Sequence, residues 1–222
     1  MARTLDLNIL TAQAENARDE EWEQAFFQAF VDGKIIVPKS ESQVGPDGWP
    51  YLYVSTSPKA TEPAIRVMDW LSTRGIGLVV NGHKDSPDYI FPYGMIWNWK
   101  QRGQFITPSQ SVTTGEIDLK PGQQIMAGAP STDHLPPYVC SILVQFLKGQ
   151  GVSDPKVLMI SHDHKNYDLA FSLESLGSPP THEHRGIAEA LAWFLPQHYS
   201  LMLVSEKGLP PFVSLTASSK QG

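Results

Sequence analysis

The run Val157-Leu158-Met159-Ile160-Ser161-His162-Asp163-His164-Lys165-Asn166-Tyr167-Asp168-Leu169-Ala170-Phe171-Ser172-Leu173-Glu174 decides the fold class. Its two apolar stretches, 157–161 and 167–174, flank five polar residues, which predicts two short strands closed into a hairpin. Upstream, Pro136 and Pro137 open a helix that repeats Val139, Ile142, Leu143, Phe146 and Leu147 at helical spacing until Gly149 and Gly151. Downstream, Ile187, Ala190, Leu191, Phe194 and Leu195 mark a second helix stopped by Pro196. A strand over 199–205 follows, and 212–215 reads as a short edge strand.

The N-terminal half has the same order of elements. A helix capped by Asn16 carries Trp22, Ala25, Phe26, Ala29 and Phe30 on one face and stops at Gly33. Strands are expected at 34–37 and 49–55, a helix with Ala64, Val67, Met68 and Leu71 on its apolar stripe, and a buried strand at 76–80. Both halves thus read helix, strand, strand, helix, strand, the order of an α+β protein with mixed sheets. Gly115, Pro121, Gly122, Gly128 and Pro130 give 115–132 the composition of a linker, so two modules are expected over 1–125 and 126–222.

Composition narrows the functional classes. Of 222 residues, 41% are hydrophobic, with six Trp, seven Tyr and nine Phe, enough apolar surface for packed cores. The formal net charge of −6, with no cluster of Lys and Arg, argues against a nucleic-acid partner. No run approaches a membrane span or a signal-peptide core, and the single Cys140 suits a reducing compartment, so a cytoplasmic location is expected.

Three constellations carry possible chemistry. His162, His164, His182 and His184 form two His-x-His pairs; on extended chain, positions i and i+2 face one side, and four imidazoles are a zinc-type ligand set. The competing reading puts the first pair on a hairpin tip and the second at a helix start capped by Thr181. Cys140 sits beside the apolar stripe of its helix without a local base, as a packing residue does. The segment 88–99 holds five aromatics in twelve residues and is expected to be mostly extended, with a bend at Gly94 and with Trp97 and Trp99 on one strand face. Such density fills a core or paves a surface. As a surface, Asp88, Tyr93, Trp97, Trp99 and Lys100 are the binding candidates, with Lys100 and Arg102 a basic edge for an acidic peptide or a carbohydrate. No Gly-x-Ser-x-Gly, Walker A or dinucleotide fingerprint is present, and no cofactor is implied.

The stretches Phe26-Phe27-Gln28-Ala29-Phe30, Lys34-Ile35-Ile36-Val37-Pro38 and Leu52-Tyr53-Val54-Ser55-Thr56 are similar to the N-terminal module of the SseB-like (enhanced serine sensitivity protein B) family. The hairpin over 157–174, the helix through Phe194, Leu201-Met202-Leu203-Val204 and Pro211-Phe212 resemble its C-terminal module. The resemblance implies a cytoplasmic bacterial accessory protein and supplies no catalytic residues. The expected function is therefore a non-catalytic interaction or adaptor protein with a protein partner. A homodimer paired through the 212–215 edge is also considered. The alternatives are a metal-dependent hydrolase built on the four histidines and a small-molecule binding module built on the Trp97/Trp99 strand.

Overall fold

The structure is a computed structural model that describes residues 6–107, 112–114, 125–161 and 165–219. The chain divides into two compact units, Met1–Phe105 and Ile106–Gly222. This division falls before the breaker-rich stretch expected to separate residues 1–125 from 126–222. The reason is sheet pairing: a strand at Val112–Thr114 hydrogen-bonds into the second unit.

In the first unit, a short helix α1 (Leu7–Thr11) is capped by Asp6, whose carboxylate accepts from the Asn8 amide at 2.8 Å. Helix α2 (Glu20–Asp32) starts at Asp19, not Asn16: Asp19 accepts from the Trp22 amide at 2.9 Å, and Asn16 lies in a 3₁₀ turn. Glu20, Glu21 and Glu23 in its first turn complement the helix dipole, and Gly33 ends it. After β1 (Lys34–Ile35) come β2 (Gln43–Val44), β3 (Pro50–Val54) and β4 (Glu62–Pro63). Helix α3 (Ala64–Leu71) leads to β5 (Gly77–Val80), β6 (Tyr89–Phe91) and helix α4 (Tyr93–Arg102).

The sheet order is β2-β3-β5-β6, with β3 and β5 parallel across α3 and both outer strands antiparallel. An aromatic core locks α2 to β6. Phe26 stacks on Trp22 at 5.0 Å and Tyr89 at 5.2 Å, while Phe91 lies 5.1 Å from Phe30. Phe26, Phe30 and Phe91 are fully buried, each worth about 1.5–3 kcal/mol of transfer free energy.

The second unit holds β7 (Val112–Thr114), β8 (Met126–Gly128), helix α5 (Pro137–Gly149), the hairpin β9 (Lys156–Ser161) and β10 (Asp168–Ser172), helix α6 (Thr181–Phe194), β11 (Ser200–Val204), β12 (Val213–Ser214) and helix α7 (Leu215–Ser218). Strands run β12-β9-β10-β11-β7, with β8 also on β9; β9/β10 are antiparallel and β10/β11 parallel across α6. The hairpin, both flanking helices and the fully buried β11 agree with the periodicities of the sequence. The fold is α+β, and each unit carries a helix, an antiparallel strand pair, a helix, and a strand parallel to the second of the pair.

A smaller device also recurs. In the first unit β1 pairs antiparallel with β4, Lys34 opposite Pro63, and the Ala64 amide donates to the Gly33 carbonyl at 3.1 Å as α3 begins. In the second, β9 pairs with β12, Lys156 opposite Ser214, and the Leu215 amide donates to the Pro155 carbonyl at 2.9 Å as α7 begins. Each clip ties a strand start to a two-residue strand that turns directly into a helix. The expected edge strand at 212–215 is the two-residue β12, and strands this short blunt edge-to-edge pairing.

Candidate functional site

At the carboxyl ends of the parallel strands β3 and β5, where open sheets with parallel strands commonly place their sites, the first unit builds a buried polar cluster around Asp88. Asp88 Oδ1 accepts from Arg18 at 2.6 Å, and Oδ2 accepts from Lys84 and from Asn81, each at 2.6 Å. Asn81 follows β5 in the left-handed region (φ 56°), which an Asn tolerates better than most residues. Its amide donates to Thr56 Oγ1 at 2.8 Å and accepts from the Thr56 amide at 2.8 Å. Thr56 and Thr11 share a hydroxyl hydrogen bond of 3.0 Å, and Lys84 reaches the Thr11 carbonyl at 2.9 Å, which clasps α1 to the sheet. The Arg18 guanidinium also lies over the Trp22 ring at 4.8 Å.

Burial alone would raise the Asp88 pKa, but hydrogen bonds from Lys84, Asn81 and Arg18 outweigh it and hold the carboxyl below its ordinary value. Both oxygens are committed to donors. A general base needs a pKa near the working pH; the lowered pKa of Asp88 lies away from it. The cluster is a clasp, and Asp88 serves it as a buried anchor.

The aromatic candidates lie elsewhere than a strand face. Only Tyr89–Phe91 is extended; Pro92 then starts α4, and Gly94 is a buried helical residue, not a bend. Residues 93–98 are buried on every side, so the sequence shows no polar helical face, and Trp97 and Trp99 mimic strand alternation. On a helix, positions i and i+2 point about 200° apart. Trp97 is buried in the core, whereas Trp99 is half-buried and stacked on Phe105 at 6.0 Å. Tyr93 is also buried, its hydroxyl donating to the Ser72 carbonyl at 2.6 Å, and Lys100 pairs with Asp69. Asp88, Tyr93, Trp97, Trp99 and Lys100 thus do not form a common surface.

The histidine pairs divide similarly. His162 and His164 lie outside the described residues. His182 and His184 sit in the first turn and a half of α6, whose N-cap is Pro180 and which has no side-chain cap, so Thr181 is the first helical residue and not the cap. His182 is exposed; His184 is buried, with Nε2 donating to the Pro179 carbonyl at 2.9 Å. Helical geometry turns the two rings apart, in agreement with the reading that places this pair at a helix start and not with the pairing on extended chain. Among the described residues no group of three His, Cys, Asp or Glu is arranged to hold a metal ion. Cys140 is buried, donates to the Leu135 carbonyl at 3.7 Å, and has its thiol pushed up to about 11 by burial. It borders a cavity of about 360 Å³ between α5 and α7 as a protonated packing residue.

An open concave feature of the first unit is a groove of about 490 Å³. Ile35, Ile36 and Val37, Leu52 of β3, and Val67 and Trp70 of α3 supply its apolar lining, and Glu62 and Arg66 line it with charge. Its size falls in the range of ligand-binding clefts. Two large apolar side chains of its lining stay partly in solvent, Trp70 at 40% and Ile36 at 37% exposed, and Ile65 of the same helix, outside the lining, is 43% exposed. Exposed apolar groups gathered round a cleft mark interaction surfaces. The sequence did contain a signal for this. Ile65 and Trp70 lie off the Ala64, Val67, Met68 and Leu71 stripe that α3 buries, so the helix carries more apolar residues than its core face uses.

Among the described residues no helix is long and apolar enough to cross a membrane. Comparison of the chain with protein-family models, curated proteins and solved structures returns no match.

Proposed function

We propose that this chain is a non-catalytic interaction protein whose first unit docks an apolar segment of a partner protein in the groove between β1 and α3. The observation that carries the proposal is the groove itself, with Trp70 and Ile36 of its lining partly in solvent. Exposing such side chains forgoes burial free energy, and a partner that covers them recovers it. The Asp88 cluster supports the same reading, because its buried carboxylate is engaged by Arg18, Lys84 and Asn81 as an internal clasp. The pattern-level resemblance to SseB-like proteins points the same way, since it implies a cytoplasmic accessory protein and supplies no catalytic residues.

Selection of random peptides displayed on phage against the full chain tests this. A recurring apolar motif is expected, with binding lost in Trp70→Ala and in Ile36→Ser while the melting temperature stays near that of the parent. Failure to enrich any motif, or enrichment indifferent to both substitutions, overturns the proposal.

A further inference from the structure

The charges along the groove select the chemistry of its occupant. Arg66 and Trp70 stand one turn apart on α3, and Arg74 follows in the turn that closes the helix. The Arg74 guanidinium lies over one face of the Trp70 ring, 4.2 Å from its centre, and is held there by donating to the Trp70 carbonyl at 2.6 Å. The ring is therefore fixed by a cation on one side and contributes to the groove wall. Arg66 has a side chain 78% exposed, and its ion pair is a loose 3.8 Å approach to the half-exposed Glu62. Asp69, the acid of this helix, is engaged by Lys100. The ridge thus presents two guanidiniums to one loosely held carboxylate, on a chain whose formal net charge is −6.

Arg and Trp are the residues most enriched at the energetic centres of protein interfaces. Guanidinium groups fit carboxylates with paired hydrogen bonds, and a local positive ridge on an acidic protein steers anionic partners to that place. We infer that the groove recognises an acidic peptide segment: an apolar anchor enters beside Trp70, and flanking Asp or Glu side chains meet Arg66 and Arg74. This rests on the groove being a protein-docking site and adds the charge of the partner. It also moves the cation-edged aromatic surface from Trp97 and Lys100, where the sequence suggested it, to α3.

The test uses the full chain and a set of fluorescein-labelled nonapeptides with Leu or Trp at the centre and either Asp/Glu, Asn/Gln or Lys flanks, read by fluorescence polarisation. Acid-flanked peptides are expected to bind about fivefold to tenfold more tightly than their amide counterparts, the effect of two exposed charge pairs. That preference falls toward unity in Arg66→Gln/Arg74→Gln and as salt is raised, while Trp70→Ala weakens all three sets. Equal binding of acid and amide flanks overturns the charge selection and leaves the docking groove standing. No binding by any set, or binding unchanged in Trp70→Ala, overturns the groove reading as well. Vesicles containing phosphatidylserine serve as a parallel probe: Arg66- and Arg74-dependent binding to them without peptide binding overturns the assignment to a peptide.

Discussion

Replacing Asp88 by Asn tests the clasp at the heart of the first unit. The carboxylate presents two acceptor oxygens to three side-chain donors, at 2.6 Å each from Arg18, Lys84 and Asn81. An Asn keeps one acceptor and turns its NH₂ toward a donor, so one partner is left facing another donor and two cations lose their counter-charge. Removing one member of a buried ion pair costs 3–5 kcal/mol. The Asp88 side chain is 1% exposed, but Arg18 is 14% and Lys84 38% exposed, and water at the two cations places the loss at the lower end, about 3 kcal/mol.

Five of the six tryptophans lie in the first unit, so urea unfolding followed by Trp fluorescence reports on that unit. The sign of the pH dependence follows from the lowered folded pKa. Ionised Asp88 contributes its full stability above its unfolded value near 3.8, and loses it as pH falls through the lower folded value. The gap between parent and Asp88→Asn is therefore constant from pH 7 to 5 and closes below about pH 4. A loss under about 1 kcal/mol at neutral pH, or a gap that does not narrow in acid, refutes the clasp.

Other consequences are as direct. Trp97→Ala is expected to cost about 3–5 kcal/mol as a core truncation and Trp99→Ala under about 2 kcal/mol, read as shifts in urea midpoint; equal small effects would return Trp97 to the surface. Gly77→Ala places a Cβ 2.6 Å from the Tyr51 ring and 2.8 Å from the Phe91 carbonyl, so it is expected to destabilise the first unit by about 1–3 kcal/mol; a neutral outcome would mean the ring moves aside freely. Cys140, with its thiol near 11 and its side chain buried, is expected to resist iodoacetamide at pH 8 in the folded protein and to label stoichiometrically in urea; rapid native labelling would refute its packing role.

Much of the fold was legible because its elements have one exposed and one buried face, or lie between strong breakers. The stripe of α3 and the apolar runs of β5, β9 and β11 translate directly into burial, and those of α2, α5 and α6 largely do, with Ala25, Phe146, Ile187 and Ala190 only partly covered. The same logic failed at the start of α4, where burial of residues 93–98 on all sides erases the helical period. At Asn16, two cap-capable residues stood three apart, and only the Asp19 carboxylate meets an orphan amide of α2.

The candidate site was less legible. Asp88 was visible as a candidate but not as an anchor, because Asn81 and Lys84 come to it from the turn after β5 and Arg18 from the end of the 3₁₀ turn before α2, 70 residues away in sequence. The groove depends on the clip that sets β1 beside β4, which no local pattern announces.

By itself, then, the amino-acid order determined most of the helices and strands, α4 excepted, and the α+β order of the two halves, since periodicity and breakers act over a few residues. Only the tertiary structure decided which apolar residues stay in water, which charges meet, and that the aromatic surface with a cationic edge lies on α3. Those outcomes depend on which faces the sheets and helices cover, a property of the packed chain and not of any one segment.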